Sequence, residues 1–469
     1  MTTHNVLIIG GGISGLSAAY YLAKGGVPST ILEPRPRLGG VIRTEHVEGC
    51  TIETGPDSFL SIKPAALELI RELGLADQVI GSNDHLRKTY IRKGGRLIPM
   101  PDGLMMMVPT KILPLLSTGL LTWRTKIRMG MELARFPKPK TSGDDESVAE
   151  FIEEHYGAEA VDYLAEPLLS GIYGGNPGVL SVAAVLPRFV ELAQRYGSLT
   201  RGVLAERAKA ARARPHGPPL PLFRTLRGGL GQLVDAMTAS IAGKVEVLRT
   251  NAEAIERVGS GFRVRANGEW LEAGSLVVAC EAHNGSKLLG AVDGRLAELL
   301  GAVPYSSSMT VALGFNAADF NSLPDGFGFL VPKKERRRLI ACTWVGTKFP
   351  FRLPDGTVVA RCFLGGLDDE QALAEPDEAI VAAVLAELRE IAGVDARPRF
   401  TRIARWPRSM AQYSVGHPKR LAEIEARAAA IPGLYLAGNA YTGIGVPDCI
   451  RMGRAAAEKI LNGQGQRDL

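Results

Sequence analysis

Gly10, Gly11, Gly12, Ile13, Ser14 and Gly15 form a glycine-rich turn between a short apolar run at residues 5–9 and a helical stretch. Gly10, Gly12 and Gly15 fit the spacing G-x-G-x-x-G. The first glycine of that pattern permits a tight turn, the second lets a pyrophosphate approach the backbone, and the third lets the helix pack on the strand. A helix starting near Ser14 aims its N-terminal amides at the phosphates. Glu33, followed by Pro34, ends the next apolar run, Thr30-Ile31-Leu32. A carboxylate there can accept hydrogen bonds from the ribose hydroxyls of an adenosine. A glycine-rich turn alone is also what a plain structural turn needs. The strand before it, the helix after it and the acid at the second strand's end together predict dinucleotide binding, with NAD and FAD both open on the fingerprint alone.

Other kinds of chemistry find no support. Five cysteines, at 50, 280, 342, 362 and 449, are scattered, odd in number and form no C-x-x-C. They read as reduced, buried residues of a cytosolic protein, neither a disulfide frame nor a metal site. Seven histidines include no H-x-x-x-H, so no metal is expected. No Ser/His/Asp array or paired carboxylates stand out, and no side chain is assigned as a catalytic base. Lys+Arg 55 against Asp+Glu 49 gives a formal charge of +6, too modest at 469 residues to imply nucleic acid. No basic region precedes the apolar run at Val6, so no signal peptide is expected.

The elements that must position these residues suggest more than one compact core, since the chain is long and 46% hydrophobic, with mean hydropathy +0.05. Residues 5–9 read as a parallel strand buried on both faces. Residues 87–98 alternate, with Lys88, Tyr90 and Arg92 on one face, and turn at Gly94-Gly95. Residues 104–136 are strongly apolar but interrupted by Pro109, Lys111 and Pro114. They are too broken to cross a bilayer and read as a helical core wall, or as an apolar lid or a surface touching lipid. Ser147 to Glu150 is a capping box. The basic run at 201–214 reads as a solvated face. Strand-like runs at Val245–Leu248, Phe262–Arg265 and Ser275–Val278 resume the nucleotide pattern, and runs between 308 and 365 suggest a mixed or antiparallel sheet. The expected class is α/β: a discontinuous Rossmann-like nucleotide-binding domain (1–85, 223–300 and 400–469), a mixed-sheet substrate domain (86–100 and 301–399) and a mostly helical insertion (101–222).

Arg37-Leu38-Gly39-Gly40-Val41 resembles the extension found in FAD enzymes of the amine-oxidase and phytoene-desaturase superfamily, which favours FAD. Nearly end to end, the chain resembles the oxygen-dependent protoporphyrinogen/coproporphyrinogen oxidase family of haem biosynthesis. The resemblance is carried by Gly10–Gly15, Arg37–Val41, Glu53–Phe59, Pro99-Met100-Pro101-x-Gly103, Leu169–Pro177, Gly326–Pro332 and Ala437–Ile450. It implies that Gly10 to Gly15 hold the pyrophosphate and Glu33 the ribose. It also implies that Gly39, Gly40, Val41, Gly55, Pro56, Asp57 and Ser58 lie along the flavin, with Gly438, Ile444, Gly445 and Val446 reaching it from the end of the chain. Trp406 falls where such flavoproteins place an aromatic beside the ring. On burial alone it is equally a core tryptophan.

For the substrate, the resemblance implies a tetrapyrrole held between Gly171 and the apolar side chains of Phe327 and Leu330, with Phe363 above the flavin. A porphyrinogen has four inner pyrrole N–H donors, which a backbone carbonyl can anchor, and an apolar rim that aromatic and aliphatic clamps suit. Read without the resemblance, these are strand residues facing a core. Animal and plant members carry an arginine where this chain has Thr89; Lys88 and Arg92 are expected to meet the substrate carboxylates in its place. Several basic groups beside one pocket fit four carboxylates at least as well as two, which leans toward coproporphyrinogen III. The implied reaction is a six-electron oxidation in three cycles, with hydride passing to flavin N5 and dioxygen reoxidising the flavin to give hydrogen peroxide. The implied partners are the porphyrinogen and dioxygen, with transient contact with haem-pathway enzymes and a cytoplasmic place, peripheral to the inner face of the membrane. Rival readings are another amine oxidase or carotenoid desaturase of this fold, and a flavin-bound scaffold without turnover.

Overall fold

The computed structural model describes residues 2–137, 145–213, 220–322, 325–367 and 369–465. Arg214 and the prolines at 215, 218 and 219, part of the basic run and its exit, lie outside the described residues. The chain divides into two compact units: Met1–Ser82, Pro221–Pro304 and Lys419–Leu469 form the first, and Asn83–Leu220 and Tyr305–Pro418 the second.

The first unit is built on a parallel sheet in the order Val245–Leu248, Ser29–Leu32, Thr2–Ile9, Glu269–Val278. Val6, Leu7 and Ile8 are fully buried, as an all-apolar strand covered on both faces must be. Strand Glu269–Val278 pairs antiparallel with Gly261–Ala266 through its first half and parallel with Leu434–Leu436 through its last residues. Helix Ile13–Lys24 follows the first strand directly, and the closing helix Val446–Gly465 lies against it. That crossing is a backbone contact: a Cβ on Gly453 would stand 2.1 Å from the carbonyl oxygen of Ser14.

The second unit holds a seven-stranded mixed sheet in the order Phe400–Ala411, Tyr305–Asn316, Thr357–Gly366, Ala341–Trp344, Gly328–Leu330, Thr89–Lys93, Arg96–Pro99. Gly328–Leu330 and Thr89–Lys93 run parallel; the other neighbours are antiparallel. Alternation puts Met309, Val311, Leu313, Phe315, Cys362 and Leu364 on one face, where they share a core with Ile380, Val384 and Leu388 of helix Asp377–Ala392. A second core gathers the helices between 148 and 203 around Phe151, Ile152, Leu164 and Leu169, and takes in Ile91, Met107 and Val108. Ser147 and Glu150 form the expected reciprocal cap.

Two boundaries differ from the expectation. Residues 400–418, assigned above to the nucleotide domain, fall in the second unit because Phe400–Ala411 pairs along Tyr305–Asn316. The helical segment expected as a separate insertion shares one compact unit with the mixed sheet. A sequence shows where an element begins, but not which edge it joins.

Gly453→Ala should force the first and closing helices apart, because the Ser14 carbonyl it meets is backbone and cannot turn aside. Overpacking of this kind costs about 1–3 kcal/mol, so thermal unfolding should show a fall of several degrees, and an unchanged midpoint would mean that the crossing has room.

Candidate functional site

In the first unit, three of the glycines in the turn are filled and one is open. A Cβ on Gly10, which has φ +100°, would lie 2.9 Å from Ala279 O; one on Gly15 would lie 1.9 Å from Gly10 O; one on Gly11 would lie 2.5 Å from Leu38 Cδ2. A Cβ on Gly12 would meet nothing within 4 Å. Gly12 is also the N-cap of helix Ile13–Lys24, with no side-chain cap and no acid in the first turn. The helix therefore presents its first amides to open space, the arrangement that suits an anion.

Gly39 N donates to Gly11 O at 2.8 Å, and Gly40 approaches Gly12 so closely that its Cβ would be 3.1 Å from Gly12 Cα. The Gly39-Gly40-Val41 turn thus folds onto the fingerprint. Gly55 packs on Val41, its would-be Cβ 1.8 Å from Val41 O. Pro56, Asp57 and Ser58 follow half-buried, with Ser58 Oγ donating to Asp57 Oδ1 at 2.6 Å. Glu33 is buried at 6% exposure, its Oε2 accepting from Gly11 N at 2.8 Å and its Oε1 from Arg35 N at 3.0 Å. Each carboxylate oxygen keeps capacity for a further donor.

Gly438, with φ +150°, follows strand Leu434–Leu436, and Ile444 and Gly445 lead into the closing helix at Val446. Residues that sequence reasoning missed fix this loop. Asp448 Oδ2 accepts from Gly445 N at 3.3 Å and from Lys63 Nζ at 2.5 Å. Arg451 Nη2 donates to Thr442 O at 2.9 Å. An acid in the first turn of a helix that follows a Gly-x-Gly loop was the available signal. Burial pushes the Cys280 thiol up to about 12 and the Cys449 thiol up to about 11. Neither is a nucleophile near neutral pH.

In the second unit, the sheet face opposite the core shared with helix Asp377–Ala392 carries Leu330, Phe363 and Trp406 of the residues singled out for the substrate. Leu330, Ala341, Phe363 and Thr310 lie in one cross-strand row, and Trp406 pairs with Ser308 on the same face. Leu330 and Phe363 are half-buried, and Arg361 lies over the Phe363 ring at 4.6 Å. Phe327 is more enclosed, at 7% exposure. Its backbone is pinned to Lys88 O and Trp344 N at 2.7 and 2.9 Å.

Gly171 stands exposed in the last turn of helix Glu166–Tyr173, and its would-be Cβ lies 3.4 Å from Leu330 Cδ2. That helix ends in the left-handed Gly174, whose amide donates to Ser170 O at 2.9 Å. Tyr173 O accepts from Gln412 Nε2 at 2.7 Å. Between them, the carbonyls of Gly171 and Ile172 have no hydrogen-bond donor among the described residues. They are two open acceptors at a helix end. Arg336, Glu166 and Gln412 support this turn and were not singled out from the sequence. Arg336 Nη2 donates to Glu166 Oε1 at 2.7 Å and to Ser170 Oγ at 3.2 Å.

Lys88 and Arg92 are not the open cations expected. Lys88 is exposed and paired with Asp325 at 2.7 Å, whose carboxyl is held below its ordinary range chiefly by that hydrogen bond. Arg92 is 8% exposed and ion-paired with Glu390, with Glu335 at 3.9 Å. The alternation that grouped them could not show the acids that distant segments bring.

The whole chain compares with known proteins in the same sense. Residues 13–461 match the family described as flavin-containing amine oxidoreductases, and the chain belongs to that family. It is an oxidoreductase whose cofactor is FAD, and the open Gly12, the uncapped helix start and the twice-bonded Glu33 fit a dinucleotide. Among individual relatives, coproporphyrinogen III oxidase of Bacillus subtilis (strain 168) is 35% identical over 97% of this chain and 98% of its own length. That of Propionibacterium freudenreichii subsp. freudenreichii is 33% identical over 98% and 91%. A crystal structure of an Exiguobacterium sp. 255-15 protein, provisionally classed as a protoporphyrinogen oxidase, is 32% identical with a TM-score of 0.86 over 99% of this chain and all of that one. Putrescine oxidase, 18% identical with a TM-score of 0.69, shares the fold.

Gly12→Val and Gly15→Ala should fail differently. A Cβ at 12 meets no protein atom within 4 Å, so the valine variant should fold with a near-normal unfolding midpoint yet purify without the yellow flavin absorbance. Alanine at 15 meets the Gly10 carbonyl and should lose stability with or without FAD. Full flavin content in Gly12→Val would refute the placement of the pyrophosphate.

Proposed function

We propose that the protein is an FAD-dependent porphyrinogen oxidase that uses dioxygen in a late step of haem biosynthesis, with coproporphyrinogen III its preferred substrate. The single observation that carries this reading is the pair of open carbonyls at Gly171 and Ile172 beside the apolar face of Leu330 and Phe363. Inner pyrrole N–H groups need acceptors and the macrocycle needs apolar cover, and this surface offers both. Near-full-length relatives named coproporphyrinogen III oxidase support the substrate class and the choice within it.

In this reading, Gly12 and the amides of Ile13 and Ser14 hold the pyrophosphate, and Glu33 takes the ribose hydroxyls. Gly55 to Ser58, Gly438 and Ile444 to Val446 lie along the flavin. Bound FAD supplies the two-electron acceptor. The chain orients the porphyrinogen through Gly171 and Ile172, clamps it with Leu330 and Phe327, and keeps the carbon that loses hydride away from water. Phe363 and Trp406, on the same sheet face, line the aromatic side. Lys88 is the cation a substrate carboxylate can recruit, because its exposed pair with Asp325 exchanges at little cost. Arg92 is committed to its buried partners and holds the strand.

No helix among the described residues is long and apolar enough to cross a membrane. We also propose peripheral contact with an anionic membrane surface through the segment 112–136. Ile112, Leu113, Trp123, Ile127, Met131 and Phe136 are 59–80% exposed there, and Lys111, Arg124 and Arg128 are exposed among them. An unstable substrate and a reactive product favour brief contact with the enzymes before and after this one.

The decisive assay supplies coproporphyrinogen III, protoporphyrinogen IX and putrescine to the FAD-loaded protein in air. Porphyrin fluorescence and peroxide should appear with both porphyrinogens, faster with the first; oxidation of the amine alone would replace this reading with the amine-oxidase one, and flavin that bleaches with none of the three would favour a scaffold. Leu330→Ala should raise KM about tenfold, in line with removal of a half-buried aliphatic contact, with flavin content unchanged, whereas Phe327→Ala should lower the unfolding midpoint as well. For the membrane, Trp123→Glu with Ile127→Glu should abolish co-sedimentation with vesicles rich in anionic lipid; equal binding by the double variant would rule out this face.

A further inference from the structure

The acceptors at Gly171 and Ile172 are backbone, and a backbone site is set by whatever pins its ends. On one side stands Ser170, 5% exposed, within 3.2 Å of Arg336 Nη2. On the other stands Tyr173, whose carbonyl is held by Gln412. Gln412 is wholly buried, at 0% exposure. Its Nε2 donates to Tyr173 O at 2.7 Å, Ser306 Oγ at 3.0 Å and Met410 O at 3.2 Å. Its Oε1 has no hydrogen-bond partner and lies 2.3 Å from where a Cβ on Gly175 would be.

An unsatisfied buried acceptor is destabilising. A methionine or leucine would fill a similar volume without one, so packing alone does not account for an amide here. The three acceptors fix its orientation: reversing it would set Oε1 against the carbonyls of Tyr173 and Met410. With glycine at 171, 174 and 175, the backbone at these three positions has no side chain of its own to restrict it.

We propose that Gln412 is a positioning residue for the tetrapyrrole: by holding Tyr173 O it keeps the carbonyls of Gly171 and Ile172 turned outward for the pyrrole N–H donors. The proposal rests on the porphyrinogen-oxidase reading above. It involves no proton or electron transfer by Gln412, and its effect is felt in substrate affinity rather than in flavin binding.

The test compares wild type, Gln412→Met, Gln412→Glu and Gly175→Ala, each loaded with FAD, by KM and kcat for coproporphyrinogen III, flavin absorbance and unfolding midpoint. Gln412→Met should raise KM by about five- to tenfold, the loss of one positioning hydrogen bond, with kcat changed less than KM and flavin content intact. Gly175→Ala should reproduce this, because its methyl displaces the amide while residue 412 stays glutamine. Gln412→Glu supplies the readout that a merely structural role would not move. Its buried carboxyl faces carbonyls, so its pKa is raised. Near pH 6 the neutral acid can donate to Tyr173 O and KM should approach the wild-type value, whereas by about pH 8.5 ionisation removes the donor and KM, divided by that of wild type, should rise. A ratio independent of pH, or a Gln412→Met variant with wild-type KM, would overturn the proposal while leaving the oxidase reading in place. Failure of the unaltered protein to form porphyrin would instead overturn the reading beneath it. Should Gln412→Met not fold, Gly175→Ala and the pH ratio of Gln412→Glu still decide.

Discussion

Backbone touching backbone is the constraint on which the first unit depends. The Cα of Gly15 sits against the Gly10 carbonyl, that of Gly453 against the Ser14 carbonyl and that of Gly40 near the Cα of Gly12. The contacts at Gly15 and Gly453 are closed to any larger residue, and a Cβ on Gly40 would stand 3.1 Å from Gly12 Cα with φ +60°. Together they draw the first helix, the closing helix and the 39–41 turn to one point, although the contributing residues are hundreds of positions apart. The opening in front of Gly12 follows from this closure: the glycines around it are used up in packing, and it is left facing space at the positive end of a helix. The strand that runs into the turn is apolar over Val6–Ile9, each at most 4% exposed, as a strand covered on both faces requires.

The second unit is held by charges placed around an apolar face. The segment 331–338 runs as a strap of ion pairs: Lys334 with Asp162, Arg336 with Glu166, Arg337 with Glu390 and Arg338 with Glu375. Glu335 accepts from Gly94 N at 2.7 Å and stands beside Arg92. The exposed members contribute little individually, about 1 kcal/mol or less. The Arg336–Glu166 pair is different, with side chains only 11% and 9% exposed. A pair at that depth gives little net stability but fixes geometry, because removing either partner strands the other. Here the geometry is the separation of two neighbours: Leu330 precedes the strap, and Gly171 lies in the last turn of the helix that Glu166 opens.

Much of this was legible in the sequence, for physical reasons that can be named. The fingerprint turn, the capping box at Ser147 and the hairpin closed at Gly94-Gly95 are local: propensity and spacing within a few residues determine them. Most of the strands between 245 and 366 were found from apolar alternation, with ends shifted by one or a few residues. The helices Ala282–Leu289, Gly294–Gly301 and His417–Ala429 were missed, their apolar positions being few and their polar faces ordinary. What failed was pairing at a distance. The strand Phe400–Ala411 joined an unexpected sheet, and Lys88 and Arg92 met acids from 325, 335 and 390 that no pattern on their own strand announces. Arg336 and Gln412 escaped notice for the same reason, since the turn they support is far away in sequence, and Glu166 because its partner Arg336 is.

In the proposed reading, the substrate chemistry is hard to read from the sequence because main chain carries it. Every residue has a carbonyl, so Gly171 and Ile172 become distinctive only when a helix end leaves them without donors. This has a consequence for specificity. Protoporphyrinogen and coproporphyrinogen present the same inner N–H groups, so a site built on those carbonyls cannot separate them. Discrimination must arise at the rim, where the two differ in carboxylate number. There the buried Arg92 is already neutralised, and only loosely held, exposed cations such as Lys88 can exchange an internal partner for a substrate carboxylate. Preference between the substrates should therefore be modest and should weaken as salt screens those exposed charges. Recognition of the macrocycle itself, resting in this reading on dipoles and apolar contact rather than on charge, should be nearly indifferent to ionic strength.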